Sequence, residues 1–547
     1  MTPALPQHDP DPDGRADGLA RARDELAYAW DRPVGVAMAR SLPRRLGFPL
    51  GVVAQVAQAQ AALLANRAAA RLKEGLRGVA DDAPSTIAAC SALYALLTPP
   101  PVATHLDDRA FGWQRLAGAN PFVLRRIDRL PENFPVTDAI FTRSTEGDSL
   151  AAASGEGRLF LADYAVLDGL PAGQTTTGVP RWISAPLALF VRVAKGRGLV
   201  PVAVQCGQRP SHATPIFTPQ DGAAWEMARV AVQVADANHE ESFQHLGRAH
   251  FLIEAFALAA ERQLSTRHPL FVLLSPHFHG TLAINDAARD KLVVPGGQLD
   301  ELLAPSLEGS LTLVRAGLTT FDLASAGFAR DIAIRGLDDR SALPDHPFRD
   351  DGALIDLALG TFVRDYLGLV YEGDAEVAGD AELRAFVSEL RAQDGGRLRG
   401  VPEKIETLAA LTELITFVIF TTSAHHAALN YTQADFFGWA PNAPTAAFAP
   451  PPAAPGGDRS AAWQAVLPAH GLAAAQLAFM WQQSQIRDDR LGQYPREHFT
   501  DPRVAPLLAR LQATLADADA VIAERDARRL LPYPYLRPSL LTASIHI

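Results

Sequence analysis

The side chains best able to do chemistry lie in two stretches of the chain. The first reads His239-Glu240-Glu241-Ser242-Phe243-Gln244-His245, with His250 just beyond, and the second reads His425-His426-Ala427-Ala428-Leu429-Asn430. His426 and Asn430 are four residues apart, so on a helix they stack about one turn apart on a single face. Imidazole nitrogen and amide oxygen together suit a divalent first-row metal such as iron. A helical histidine is also commonly a hydrogen-bonded structural residue. His250 sits among Phe251, Leu252 and Ile253 with no ligand partner at helical spacing, and is read that way. Two such clusters inside apolar helices favour a site, because buried polar side chains need partners.

These clusters must be held by a large framework. The chain has 547 residues, 48% of them apolar, enough for a sizeable core. Its net charge of −11 comes from interleaved acids and bases, which excludes a nucleic-acid-binding surface as the main function. Two cysteines, Cys90 and Cys206, provide neither a disulfide framework nor a thiolate metal site. No secretory signal is visible, and the apolar stretches near 48–61 and 411–421 are too short or interrupted to span a bilayer. A cytoplasmic protein is expected.

The periodicity predicts helices over 19–30, 52–76, 223–263, 352–367, 381–392, 404–430, 462–483 and 504–528. Short strands are expected at 158–164 and 199–205, the first in an otherwise loop-rich section from 107 to 170, and an Ala/Pro-rich surface loop at 443–457. The expected organisation is mainly α: a disordered tail over 1–17, a helical N-terminal extension over 18–106, and one large helical catalytic unit with a small β element over 107–547.

Around these residues the sequence resembles the lipoxygenase family, in its bacterial type without the N-terminal β-barrel. Trp225-Glu226-Met227-Ala228-Arg229-Val230 leads into the first cluster, His245-Leu246-Gly247-Arg248-Ala249-His250 follows, and Arg262-Gln263-Leu264 and His268-Pro269-Leu270 come next. The second cluster continues through Tyr431 to Trp439-Ala440-Pro441-Asn442-Ala443-Pro444. Gly118-Ala119-Asn120-Pro121, Phe134-Pro135-Val136-Thr137, Phe348-Arg349-Asp350-Asp351-Gly352, Tyr371-Glu372-Gly373-Asp374 and Leu491-Gly492-Gln493-Tyr494 keep the family's order. So does the ending, Pro534-Tyr535-Leu536-Arg537-Pro538 through Ile545-His546-Ile547. The resemblance implies that His245, His426, Asn430 and the carboxylate of Ile547 are metal ligands, with Gln433 a second-layer amide that orients them. It also implies that Ala324 occupies a position biasing the face of oxygen attack.

The family places another histidine five residues before the second ligand, and aligned on His245 that position is Glu240. Five residues turn a regular helix through about 500°, so side chains at that spacing diverge by about 140° unless a π-bulge intervenes. Three readings follow: Glu240 replaces the histidine, the helix shifts so that His239 binds, or the site is damaged. Glu241, four before His245, would suit an unbulged helix. The first reading is adopted, since carboxylates are good iron ligands.

The resemblance implies a non-haem dioxygenase. A hydroxide on the metal takes hydrogen from a bis-allylic carbon of a polyunsaturated fatty acid, and O2 adds to give a hydroperoxide. Iron is the expected cofactor, and manganese accepts the same donors. The expected partners are a fatty acid or other apolar small molecule and O2; nucleic acid is excluded and peripheral membrane contact is not indicated. The alternative is a lipoxygenase-fold oxygenase whose glutamate-containing centre acts on another apolar substrate or on hydroperoxides.

Overall fold

The computed structural model describes residues 3–30, 35–73, 80–193 and 198–547. Helices dominate, as expected. The β element is a five-stranded antiparallel sheet whose strands follow chain order: Arg125–Arg126, Leu159–Asp163, Leu187–Arg192, Leu199–Gln205 and Ile216–Phe217. Phe134 and Phe141 close one face of this sheet. Its other face packs on the helix Asp108–Ala117, which starts where the Asp107 side chain accepts from the Ala110 amide. Part of the stretch expected as loop is therefore helical.

The centre of the molecule is one continuous helical run over 223–263. It is α over Ala223–Asn238, π over His239–Phe251 and α again over Leu252–Gln263. The helix Leu307–Thr319 lies across its π segment, and the contact is backbone on backbone. A Cβ on Gly247 would sit 3.3 Å from the Gly317 Cα, and one on Gly317 would overlap the Phe243 carbonyl oxygen. The second cluster also rides on a helix with a π insert: Leu408–Phe420, then Thr421–His425, then His426–Asn430. By length and composition Leu408–Phe436 could cross a membrane, but most of it is buried inside this protein.

Several expectations need correction. Residues 3–17 are not a disordered tail. Asp11 caps the helix Pro12–Glu25, whose proline sits at the start where no amide is needed. Arg15 is buried, pairing with Asp9 and Glu382, so the segment is locked to the helix Ala381–Arg391. The expected helix over 19–30 ends at Glu25, and the chain continues into a small antiparallel pair, Tyr28–Ala29 with Met38–Ala39. The helix expected over 52–76 is Leu50–Lys73; residues 74–76 lie outside those described. Pro468 divides the helix expected over 462–483 into Arg459–Val466 and His470–Gln483, because proline lacks the amide proton a helix interior uses. The first half of the loop 443–457 is buried, its Thr445 accepting from Asn238 and donating to Gln476. One hydrophobic cluster runs from Leu5 to Ile545, so the N-terminal section shares the core of the rest.

Candidate metal centre

The π segment settles what the five-residue spacing means. A helix with i to i+5 hydrogen bonds places residues five apart on one face. It brings together His245 and His250, whose Nε2 atoms lie 3.2 Å apart. His426 completes a triangle, its ring centroid 5.2 Å from each of the other two. The candidate ligand nitrogens of the three lie within 4.8 Å of one another, and all three residues are buried.

Protonation follows from the outer partners. Asn285 uses its Nδ2 to donate to Glu254 and to the His250 carbonyl, so its Oδ1 faces His250 Nδ1 as an acceptor at 2.8 Å. His250 therefore carries its proton on Nδ1. His245 Nδ1 lies 3.3 Å from the Glu241 carboxylate, which also accepts from Gln433 Nε2 at 2.6 Å. Both Nε2 atoms consequently point bare lone pairs at each other, and neither can donate to the other. Burial, with the neighbouring His245, pushes His250 down to about 3, and burial likewise holds His426 well below the ordinary imidazole range. His250 and His426 are thus neutral donors to a cation.

The groups present fit a metal on further counts. Neither ring nitrogen of His426 has a hydrogen-bond partner among the described residues. Asn430 donates its Nδ2 to the Gln483 carbonyl at 2.8 Å, which leaves its buried Oδ1 unpartnered. A buried acceptor without a partner costs about 1–3 kcal/mol, a cost that a bound cation would relieve at His426 and Asn430. Two nitrogens bound cis at about 2.1 Å would be about 3 Å apart, close to the separation found. Ile547 is buried, with its side chain packed against Val52, Ala59 and Ile486.

Three site assignments change as a result. Glu240 is not part of the cluster: Gln433 Nε2 lies 3.4 Å from its Oε2, its Oε1 is unpartnered, and burial beside Glu241 raises it well above the carboxylate range. His239 faces away, stacked on Phe243 with its Nδ1 3.1 Å from Asn120. Glu241 reaches the outer nitrogen of His245 rather than the inner one. His250, read as structural, takes the place given to Glu240. The pair that adjoins at a five-residue spacing is His245 and His250, counted forwards from His245 rather than backwards to Glu240. Ala324 lies exposed in a short turn, Leu323–Ser325, its amide bonded to Asp322, and the structure does not bring it to the cluster. Gln433 does stand beside the site, against Glu241 and His245.

Asn285 was missed altogether. It sits on the helix Thr281–Lys291 and begins a buried chain of bonds leading away from His250. Asn285 Nδ2 donates to Glu254 Oε2 at 3.0 Å, and Glu254 Oε1 accepts the Ala39 amide at 2.9 Å. Arg289 on the same helix donates to the Ala39 carbonyl. No helical periodicity marks such a partner, since it joins elements far apart in sequence.

Comparison with known proteins accords with this geometry. The family profile described as Lipoxygenase matches residues 101–465. The chain is 37% identical over 478 residues to the linoleate 9/13-lipoxygenase of Pseudomonas aeruginosa, covering 83% of this chain and 69% of that protein. It is 36% identical over 447 residues to the human polyunsaturated fatty acid lipoxygenase ALOX15B, covering 81% of this chain and 66% of that one. Among solved structures, a LOX in complex with arachidonate superposes with a TM-score of 0.93 at 29% identity, covering all of this chain and 84% of that one.

Proposed function

The chain belongs to the lipoxygenase family, whose members are dioxygenase oxidoreductases, and from that membership we propose that it adds O2 to a polyunsaturated fatty acid to give a hydroperoxide. The observation that carries this reading is the convergence of His245, His250 and His426, all buried, with their candidate ligand nitrogens within 4.8 Å of one another. His245, His250, His426, Asn430 and the terminal carboxylate of Ile547 would hold the metal. When bound, iron or manganese supplies the one-electron acceptor that lets a hydrogen atom leave a bis-allylic carbon, a weak C–H bond because the radical spreads over the pentadienyl unit.

The protein's own contribution is positional. Asn285 and Glu241 hold the Nδ1 protons of His250 and His245 outward and so keep both inner nitrogens free. Gln433 fixes Glu241, and the Gln483 carbonyl takes the Asn430 Nδ2 proton and leaves the amide oxygen free to accept a cation. The surrounding apolar residues, among them Leu246, Ala249 and Leu429, exclude water from the cluster. The glutamate-containing centre and the altered chemistry it suggested are not retained, because Glu240 lies outside the cluster. Two buried free thiols, Cys90 and Cys206, are compatible with the cytoplasmic setting we assign.

Metal content of the purified protein, measured together with oxygen uptake on linoleate and arachidonate, tests the proposal. Close to one iron or manganese per chain with uptake and a conjugated-diene product is expected. A filled site without uptake on either acid would overturn the substrate assignment, and an empty site after growth with both metals would overturn the centre.

A further inference from the structure

We propose that the helix Leu50–Lys73 is an interfacial helix that seats the protein on an anionic lipid surface without calcium. Its buried side is firmly fixed. Val52 and Ala59 pack on Ile486 and Ile547, and Asn66 accepts the amides of Leu96 and Leu97 while donating to the Leu93 carbonyl. Its solvent side is apolar in a regular way. Leu50, Val53, Ala57, Ala61 and Leu64 follow one another at steps of three and four, and Leu72 lies two turns on; all are exposed. Leu50 is 88% exposed, Leu64 70% and Leu72 83%. Four large apolar side chains, Leu50, Val53, Leu64 and Leu72, are thus exposed on one side of one helix, linked by Ala57 and Ala61, a patch of the kind that marks an interaction surface.

The charge around the stripe identifies the cover. Residues 35–73 contain six Lys and Arg and no Asp or Glu, in a chain whose net charge is −11. Arg44 and Arg45 stand before the helix, and Arg67, Arg71 and Lys73 occupy its last two turns, so both ends of the apolar stripe are flanked by cations. Arg45 pairs with Glu261, and Arg67 and Arg71 lie within 4.0 Å of the exposed Asp81, but the segment itself contributes only positive charge. A second copy of this chain would present the same cations to each other and be repelled. An anionic bilayer offers what the helix lacks: acyl chains for the Leu and Val side chains and phosphates for the bases. The inner face of the same helix rests on Ile547, so the surface in contact with lipid backs directly onto a residue of the candidate centre.

Flotation of the full-length protein with vesicles tests this without any turnover, so its failure would be distinct from failure of the proposed activity. With vesicles of phosphatidylcholine and phosphatidylglycerol the protein should float in the presence of EDTA, and binding should weaken as salt is raised. Phosphatidylcholine alone should bind about tenfold less. The double variant Val53→Glu, Leu64→Glu changes only exposed positions; it should lose binding by about tenfold or more while oxygen uptake on dispersed linoleate is unchanged. Absence of wild-type flotation, equal flotation of the variant, or a concentration-dependent dimer that the variant disperses would each overturn the proposal.

Discussion

His245 and His250 point their Nε2 atoms at one another across 3.2 Å although five residues separate them in the chain. A regular α-helix would splay them apart, and the π segment His239–Phe251 holds them together. Replacing His250 by Ala should therefore reduce bound metal to less than about a tenth and abolish oxygen uptake. The companion change Glu240→Gln should keep the metal. It should also raise the melting temperature, because burial beside Glu241 keeps Glu240 raised well above its usual range, and an isosteric amide removes the cost of neutralising it at neutral pH. Metal analysis and calorimetry of the two variants check this; loss of metal in Glu240→Gln with retention in His250→Ala would reverse the assignment.

Asn285 fixes the His250 tautomer without touching the candidate metal position. Asn285→Leu should weaken metal affinity about 10–100-fold while the far-ultraviolet circular dichroism stays unchanged. Chelator competition measures the affinity, and unaltered metal retention would show that Asn285 is dispensable.

Acid should destabilise the metal-free protein. Burial lowers His239 to about 3 and His277 to about 4, against about 6.5 for a free imidazole. Between those values the unfolded chain binds protons that the folded chain does not, so stability falls as pH falls through that window. Each such histidine contributes a slope of up to about 1.4 kcal/mol per pH unit. Urea midpoints compared at pH 7 and pH 5 give the answer; identical midpoints would contradict neutral burial of these rings.

At the crossing of the π segment with the helix Leu307–Thr319, Gly317→Ala should cost about 1–3 kcal/mol, because its methyl meets the Phe243 carbonyl oxygen. Gly155, with open space around its Cβ position, supplies the control, and Gly155→Ala should be neutral or slightly stabilising. Denaturation curves that fail to separate the two variants would count against the close approach.

Ala324 lies in an exposed turn. Chiral analysis of the hydroperoxide from Ala324→Gly should match the wild type, and a changed enantiomer ratio would restore a role for this residue.

Local pattern made the long helices legible, because apolar spacing survives in one segment whatever packs against it. The helix Pro347–Val370 and the strand Leu199–Gln205 lie where periodicity put them. His245 and His426, which the motifs singled out, do come together in the cluster. His250 was hidden by the assumption of α geometry: among Phe251, Leu252 and Ile253 it reads as a core residue, and only a π turn rotates it inward. Residues 3–17 look disordered from composition because what orders them, Glu382 against Arg15, lies more than three hundred residues away. Asn285 was invisible because its partners, His250 and Glu254, stand on a different stretch of helix, beyond the reach of any helical spacing.

The chain of bonds from the Ala39 amide through Glu254 and Asn285 to His250 joins the N-terminal section to the candidate centre. Such coupling is reciprocal by thermodynamic necessity. Whatever free energy a bound cation adds to the strand pair at Met38–Ala39 through this chain, the formed pair must add to the binding of the ion. Metal loading should accordingly slow proteolysis near residue 39, and cutting there should speed loss of the ion.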